Sequence, residues 1–349
     1  MSGLQDDIHP SDDLVPRFVP RGIAHVDIVS DQPPQVFVIV LVPSFSMLAF
    51  ANTVEPLRIA NQLTGKQLYR WEVRSDDGLP VVSANGLSIS SDGGLTEVPA
   101  NAVVLACVGN YAEKNVSGEL AGFLREKWRK GHRVGGICTG AYALAKAGIL
   151  KGHAFTLHWE SIKPFCEDHP GLVPSDSIYV MDRRILSCGG GAASTDMMLA
   201  LIRDSFGDKL ARGVADMCLY ASLRSSDQRQ KTPASTLYGT RNQVLIKIID
   251  YIETHLAEAI DMEEVAALHS VSRRQVERLF ATHVGIPPNR FINNIRLDHG
   301  RSLLADTSMK VTDVAFAAGF TSANHFARLF RQRFGVSPHR FKGSVSPGV

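Results

Sequence analysis

A cysteine on a sharp strand-to-helix turn is the first place where this sequence could do chemistry. The apolar run Val134–Cys138 predicts a strand and Ala141–Ala147 predicts a helix, so Cys138 falls at their junction, between Gly136 and Gly140. A side chain on such a turn points out at the top of a sheet. The helix that follows favours a thiolate and offers N–H groups to an anion. The pattern fits a reactive thiol and a buried structural cysteine equally.

A second group of residues could read DNA. Val311–Ala318 and Ser322–Phe334 predict two short helices separated by a turn at Gly319, which is the layout of a helix-turn-helix. The second helix of such a unit enters the major groove. Asn and Arg are the side chains that pair with two atoms of an adenine or guanine edge. The residues of this helix predicted to face DNA are Ser322, Asn324, His325 and Arg328.

The same unit occurs earlier in the chain. Arg278–Phe280 recurs as Arg328–Phe330, and Gly285 recurs as Gly335, with one extra residue in the turn of the second copy. Two recognition helices on one body could read major-groove faces about 34 Å apart. Pro288–Leu304 is then the connecting helix. The residues of the first copy predicted to face DNA are Ser272, Arg273, Arg274 and Arg278.

Charge separates this interpretation from the alternative of two ordinary amphipathic helical hairpins. Residues 271–349 hold twelve Lys and Arg against four Asp and Glu, whereas the rest of the chain holds twenty-five against thirty-one. A basic carboxy-terminal region on an acidic body is typical of a nucleic-acid binder. Double-stranded DNA is therefore the predicted partner of this region.

Residues 243–343 resemble the DNA-binding domain of AraC/XylS transcription regulators. The short sequence segments on which the resemblance rests are Glu264–Ala266, Ser272–Arg274, Arg278–Phe280, Asp313–Ala315, Gly319–Phe320, Arg328–Phe330 and Gly335–Pro338. The resemblance implies promoter DNA and RNA polymerase as partners, and a homodimer on two half-sites. Gly300 departs from the family, which usually has Ala there; because Gly within a helix costs about 1 kcal/mol against Ala, the connecting helix is expected to be soft at this point.

The region before this domain alternates between strands and helices. The predicted strands are Val36–Val42, Trp71–Arg74, Ala102–Val108, Val134–Cys138 and Ile185–Cys188, and the predicted helices are Met47–Gln62, Leu120–Lys130, Ala141–Ala147 and Ser194–Phe206. This alternation predicts an α/β domain with a doubly wound, flavodoxin-like, mostly parallel sheet, followed by an all-α domain with two helix-turn-helix motifs. Ligands of such sheets bind beyond the carboxyl ends of the strands, where Gly109 and Cys138 fall.

Gly136–Gly152 and Thr156–Glu160 resemble the ThiJ/PfpI branch of the class I glutamine amidotransferase-like superfamily. In enzymes of that branch the elbow cysteine is the nucleophile, a histidine twenty residues on assists it, and a carboxylate follows the first strand. Cys138 and His158 match, but the acid position holds Ala49. The resemblance therefore implies a degenerate pocket with no catalytic residues, which is suited to sensing a ligand.

Phe45–Phe50, Glu55–Asn61, His158–Glu160 and Asp227–Arg229 resemble regulators of glycine betaine, carnitine and arginine catabolism. An aromatic ring could face a quaternary ammonium, a carboxylate could balance its charge, and the elbow N–H groups could hold an anion. As alternatives, the rings are core residues, and Glu55 with Arg58 is a surface pair. The predicted ligand-binding residues are Phe45, Glu55, Gly109, Asn110, Cys138, Thr139, His158, Trp159 and Glu160.

Composition bounds the remaining possibilities. Five cysteines, an odd number without a CxxC pair, argue against a disulfide frame or a zinc site, and no apolar run reaches the length that spans a membrane. We expect a cytoplasmic protein without a metal or cofactor. The expected divisions are a loose tail over 1–34, a ligand-sensing domain over 35–223, a linker over 224–242 and a DNA-binding domain over 243–343.

These predictions describe a one-component transcription regulator, expected to be an activator, that binds a small-molecule effector near Cys138. Two alternatives keep chemistry at the cysteine. One is a Cys-dependent hydrolase or hydratase, favoured by Cys138 with His158 and opposed by Ala49. The other is a thiol redox sensor that uses Cys138.

Overall fold

The computed structural model describes residues 23–220, 223–230, 238 and 240–345. The strands are β1 (Gln35–Leu41), β2 (Tyr69–Arg74), β3 (Val81–Val82), β4 (Ser88–Ile89), β5 (Val103–Val108), β6 (Arg133–Cys138), β7 (Tyr179–Asp182) and β8 (Ile185–Cys188). Six of them form one sheet in the order β2-β1-β5-β6-β8-β7, and β3 and β4 form a separate hairpin. Every pairing in the large sheet is parallel except that of β7 with β8, so the predicted doubly wound sheet is confirmed.

Helices cover both faces of this sheet because its strands are apolar on both. In β1, Phe37 and Ile39 point into one core while Val38 and Val40 point into the other, as the alternation of a strand requires. The helices are α1 (Met47–Thr64), α2 (Ala112–Asn115), α3 (Gly118–Arg129), α4 (Ala141–Lys146), α5 (Ile162–Asp168), α6 (Ala192–Phe206) and α7 (Asp208–Met217). Residues of α1, α6 and α7 fill the first core, and residues of α2 to α5 fill the second.

Several features of this domain differ from the prediction. The antiparallel strand β7, the hairpin β3–β4 and the helices α2, α5 and α7 were not expected. Residues 1–22 of the expected loose tail lie outside the described residues, but Val26 is buried and donates its N–H to the Leu63 carbonyl at 3.0 Å. The tail prediction is therefore wrong at Val26, because the short apolar cluster from Ile23 to Val29 was not given weight within the Pro- and Asp-rich segment.

The predicted linker over 224–242 is partly bound to the amino-terminal domain. Arg224 donates to the buried carboxylate of Asp196 on α6 at 2.6 Å, and the side chain of Gln230 bonds to the segment that follows α4. Residues 231–237 and 239 lie outside the described residues. Tyr238 packs edge-on against Phe291, with ring centroids 6.1 Å apart.

The carboxy-terminal domain is helical. Its helices are α8 (Gln243–Thr254), α9 (Met262–Leu268), α10 (Arg273–Leu279), α11 (Pro288–Asp306), α12 (Val311–Ala317), α13 (Ala323–Phe334) and α14 (Pro338–Val345). The pairs α9–α10 and α12–α13 are the two predicted helix-turn-helix units, and each has its own core. Helix α11 contributes Phe291 to the first core and Leu303 to the second, so one helix connects both units.

Gly300, expected to soften the connecting helix, instead fits a close approach between helices. A Cβ added at Gly300 would lie 2.7 Å from Cε2 of Phe326, whose ring is fully buried on α13. The loss of helix propensity at Gly300 is therefore offset by the packing of the second recognition helix against α11. The interpretation of Gly300 as a soft point misses this packing function, because the contact lies 26 residues away in sequence.

We predict that Gly300→Ala destabilises the carboxy-terminal domain by about 1–3 kcal/mol, since overpacking outweighs the gain in helix propensity. Calorimetric unfolding of the full chain measures this change. The matched control is Gly122→Ala within α3, where an added Cβ meets no atom within 4 Å, and which should be neutral or stabilising. A stabilised Gly300→Ala variant would contradict the packing argument.

Candidate functional site

Cys138 stands at the carboxyl end of β6 in a strained backbone conformation, with φ of 62°. Gly190, which follows the neighbouring strand β8, lies directly against it. A Cβ added at Gly190 would lie 2.7 Å from the Cys138 Cβ and 3.1 Å from its sulfur. The elbow geometry predicted from the sequence is therefore present, and a second glycine-containing turn packs over the cysteine.

The environment of the Cys138 thiol opposes ionisation. Burial, followed by the nearby Cys188 and Glu160, raises the pKa of Cys138 to about 12, although a hydrogen bond from the backbone of Thr139 acts in the opposite direction. Burial and the raised pKa favour the alternative of a buried structural cysteine over that of a reactive thiol. Helix α4 has only six residues, and the desolvation of the sulfur outweighs its effect.

Ala49, at the expected acid position, lies in the first turn of α1 and is fully buried. An alanine can neither accept a proton nor orient an imidazole. Besides its raised pKa, Cys138 therefore has no carboxylate at the position where the enzymes of the branch carry theirs. This arrangement disfavours nucleophilic catalysis, which needs an activated thiolate.

His158 is attached to the elbow through its backbone. Its N–H donates to the carbonyl of Cys138 at 3.0 Å. Burial lowers the pKa of the His158 imidazole, and the charge of Glu160 opposes this effect. The imidazole is therefore neutral near pH 7 and can offer one donor and one acceptor.

Three loops meet at this edge of the sheet. The hydroxyl of Thr139 donates to the Gly109 carbonyl at 2.6 Å, and the N–H of Asn110 donates to the Ser44 carbonyl at 3.1 Å. The predicted residues Gly109, Asn110, Cys138, Thr139 and His158 thus lie on segments that bond to one another. They surround the carboxyl ends of β1, β5 and β6, where ligands of such sheets bind.

The four remaining predicted ligand residues divide into two groups. Trp159 is 43% exposed with its ring 5.5 Å from that of His158, and Glu160 is exposed and acts electrostatically on Cys138. In contrast, Phe45 is fully buried and packs edge-on against Phe50. Glu55 pairs with Arg58 at 2.7 Å and acts on the thiol of Cys218. Phe45 and Glu55 match the alternatives of a core residue and a surface pair.

Sequence reasoning missed several residues that shape this edge. The side chain of Asn52 donates to the Gly191 carbonyl at 2.9 Å and holds the glycine turn against α1. Gln230 accepts a hydrogen bond from the N–H of Trp159 at 2.9 Å and donates to the Leu157 carbonyl at 2.8 Å. The three consecutive glycines after β8 were a usable signal for the turn. Gln230 gave none, because it lies in a polar stretch without periodicity.

Metal and disulfide chemistry find no support in the described ranges. No group of three or more His, Cys, Asp or Glu side chains there is placed to hold a metal ion. All five cysteines are free thiols. Among the helices that the structure describes, none is long and apolar enough to cross a bilayer.

Serine side chains begin both predicted recognition helices. The hydroxyl of Ser272 accepts the N–H of Gln275 at 3.3 Å at the start of α10, and that of Ser322 accepts the N–H of His325 at 3.4 Å at the start of α13. Each of these helices is the second helix of its helix-turn-helix unit. Both serines therefore have a capping role, whether or not they also touch DNA.

The side chains that follow these caps differ in how free they are to contact DNA. Arg274, Arg278 and Arg328 are exposed, and they form no ion pair with any described residue. Arg273 is held by Glu277 at 3.2 Å and by Glu263 at 3.4 Å. On α13, Asn324 is exposed, and His325 is half-buried with its ring 5.8 Å from that of Phe320.

Comparisons with known proteins agree with both halves of this description. A helix-turn-helix domain model matches residues 265–344, and a DJ-1/PfpI family model matches residues 39–204. The HTH-type transcriptional regulator GbdR of Pseudomonas aeruginosa is 38% identical over 87% of this chain and 83% of its own length. The regulator GlxA of Rhizobium meliloti is 35% identical over 85% of this chain and 92% of its own.

A solved structure of a THiJ/PfpI family protein from Pseudomonas syringae is 18% identical, with a TM-score of 0.47 over 72% of this chain and 93% of its own. The full-length similarity to GbdR and GlxA covers both domains and the segment between them. The chain belongs to the family of HTH-type transcriptional regulators in which a DJ-1/PfpI domain precedes an AraC-type DNA-binding domain.

Proposed function

We propose that this regulator senses a small amine or amino-acid-like metabolite, such as glycine betaine, carnitine or arginine, in the pocket beside Cys138. It acts in the cytoplasm as a homodimer on promoter DNA and activates a catabolic operon together with RNA polymerase. The proposal rests on the site at Cys138. Its strand-to-helix elbow is retained, its thiol is buried and protonated, and the acid position holds Ala49 in place of a carboxylate. Such a pocket can bind without turning over what it binds.

The chemistry of the pocket fits a zwitterion. Trp159 is exposed enough to present a ring face to a quaternary ammonium, and Glu160 supplies a negative charge next to it. The neutral imidazole of His158 and the hydroxyl of Thr139 offer hydrogen bonds to a carboxylate. We leave Phe45 and Glu55 out of the proposed site because the first is fully buried and the second is paired with Arg58.

The DNA-binding surface is proposed from the two capped helices. Arg274 and Arg278 on α10, and Asn324 and Arg328 on α13, are exposed side chains that suit guanine and adenine edges. Their helices are connected through α11, which fixes their spacing. Arg273 is better suited to a phosphate contact or an internal role, because two glutamates already hold it.

The alternatives at Cys138 are less well supported. A hydrolase or hydratase needs a thiolate, whereas the pKa of Cys138 is raised to about 12. A redox sensor needs an accessible, low-pKa cysteine, whereas Cys138 is buried. GbdR and GlxA are named as transcriptional regulators, which agrees with a sensing role for this domain.

The effector is tested by a thermal-shift screen with glycine betaine, carnitine, choline, dimethylglycine and arginine. We predict that at least one raises the melting temperature, and that Glu160→Gln weakens its binding about fivefold, since a partly exposed ion pair contributes up to roughly 1 kcal/mol. Glu167→Gln, an exposed carboxylate on α5, is the control and should bind normally. If none of the five compounds binds, this effector class is wrong.

DNA reading is tested with a duplex that the purified protein selects from a random pool. We predict that Arg278→Ala and Arg328→Ala each weaken specific binding by about 1–3 kcal/mol and relax base preference at one position. Arg212→Ala, an exposed arginine on α7, removes the same charge and should leave affinity unchanged. Unaltered base preference in both recognition-helix variants would remove them from the readout.

The role of the cysteine is tested by Cys138→Ser. We predict that this variant keeps its effector-dependent DNA binding, because the thiol shapes the pocket and takes no covalent part. Cys166→Ser is the control for a half-buried cysteine outside the elbow. Complete loss of the response with intact effector binding would favour chemistry at the sulfur, as would sensitivity to peroxide that disappears with Cys138.

A further inference from the structure

Three consecutive residues after the elbow bond to three different parts of the molecule. The N–H of His158 donates to the Cys138 carbonyl, the N–H of Trp159 donates to Gln230 in the segment between the domains, and the carbonyl of Glu160 accepts from Ser302. The last contact spans 3.3 Å and reaches α11 in the DNA-binding domain. We call His158–Glu160 the junction turn.

The contact between the domains continues on both sides of the junction turn. Helix α11 packs against the 3-10 turn Trp159–Ser161, against α5 and against α2. The ammonium of Lys163 on α5 donates to the Glu253 carbonyl near the end of α8 at 3.2 Å. Helix α2 follows directly on the pocket loop that contains Gly109 and Asn110. The elements that touch the DNA-binding domain are therefore extensions of the pocket loops.

The segment between the domains is held at one end against the junction turn. Gln230 is fixed under the junction turn by donating to Thr156, Leu157 and Ser177, at 2.8 to 2.9 Å. Eight residues later, Tyr238 packs on Phe291 of α11. The junction turn therefore reaches α11 through Ser302, and Tyr238 of the segment between the domains contacts the same helix.

Helix α11 is the element through which such contacts can act on both recognition helices. It contributes Phe291 to the core behind α10 and Leu303 to the core behind α13. The arginines predicted to read DNA are exposed in this arrangement. A signal at α11 therefore acts through the orientation of the two units and not by covering their DNA-facing side chains.

We propose that the junction turn couples the site beside Cys138 to the DNA-binding domain: a change at Cys138 and His158 is passed through Glu160 to Ser302 on α11. This inference rests on the proposed function for the identity of the signal, but not for the contacts that carry it. Thermodynamic linkage then requires DNA to act back on the junction turn, because coupling between two binding sites is reciprocal.

The coupling route can be tested without an effector. The measurement is amide hydrogen exchange of the full chain, followed on peptides that cover residues 157–163. We predict that Ser302→Ala speeds exchange there about fivefold, the effect of one lost hydrogen bond on local opening. Addition of the duplex selected from the random pool should change exchange of these peptides in the parent protein and much less in Ser302→Ala. Ser308→Ala, an exposed serine in the loop after α11, should behave like the parent.

The second arm uses whichever of the five screened compounds raises the melting temperature. Ser302→Ala should bind the compound alone and the duplex alone with the affinities of the parent protein. In the parent, the compound changes the affinity for the duplex by some factor, and in Ser302→Ala this factor should fall toward one. Lys163→Met, which removes the contact with Glu253, should act in the same direction and serves if Ser302→Ala is poorly folded.

The outcomes separate the two proposals. If no compound binds, the proposed effector class fails, and the duplex-dependent exchange of residues 157–163 still decides the route. Unchanged exchange of these peptides on duplex binding in the parent protein would overturn the coupling inference. An equal response in Ser302→Ala, Lys163→Met and the parent would also overturn it.

Discussion

The burial of the Cys138 sulfur is the constraint on which the amino-terminal domain depends. Gly190 packs against the cysteine so closely that any larger residue would displace it, and β8 closes the site from the side of Cys188. Desolvation then keeps the thiol protonated. An enzyme of this fold needs to overcome that cost with a nearby base or acid, and Ala49 offers neither. The site retains the shape of an elbow while its environment opposes nucleophilic chemistry.

A comparable constraint organises the carboxy-terminal domain. Its two helix-turn-helix units have separate cores, so their spacing depends on α11 alone among the elements that enter both. The buried ring of Phe326 fits against α11 because residue 300 is a glycine. Gly300 lowers the helix propensity of α11 but allows α13 to pack closely against it. This packing helps to fix the distance between the two recognition helices, which successive major-groove contacts require.

Much of this could be predicted from the sequence because the signals are local. The apolar runs of β1, β5 and β6 identify buried strands. Both recognition helices begin at a capping serine, and α13 ends at Gly335. Cys138 and Thr139 are adjacent, so the elbow was visible as a motif. Strand β7 was missed because four residues with mixed polarity give no pattern. The sequence left open whether Cys138 is a reactive thiol or a buried structural cysteine, because burial by distant segments is not encoded in its neighbours.

The junction turn could not be predicted for the same reason. Trp159 and Gln230 are 71 residues apart, and Glu160 and Ser302 are 142 apart, so only the folded chain brings them together. Through Glu160 the turn accepts a hydrogen bond from Ser302 on its main-chain carbonyl, and a hydrogen bond of this kind has a net contribution of about 1 kcal/mol. Couplings between sites in regulatory proteins are typically about 1–3 kcal/mol, so contacts of this strength are sufficient. In the proposed coupling, effector binding beside Cys138 alters this hydrogen bond and, through α11, the arrangement of the two recognition helices.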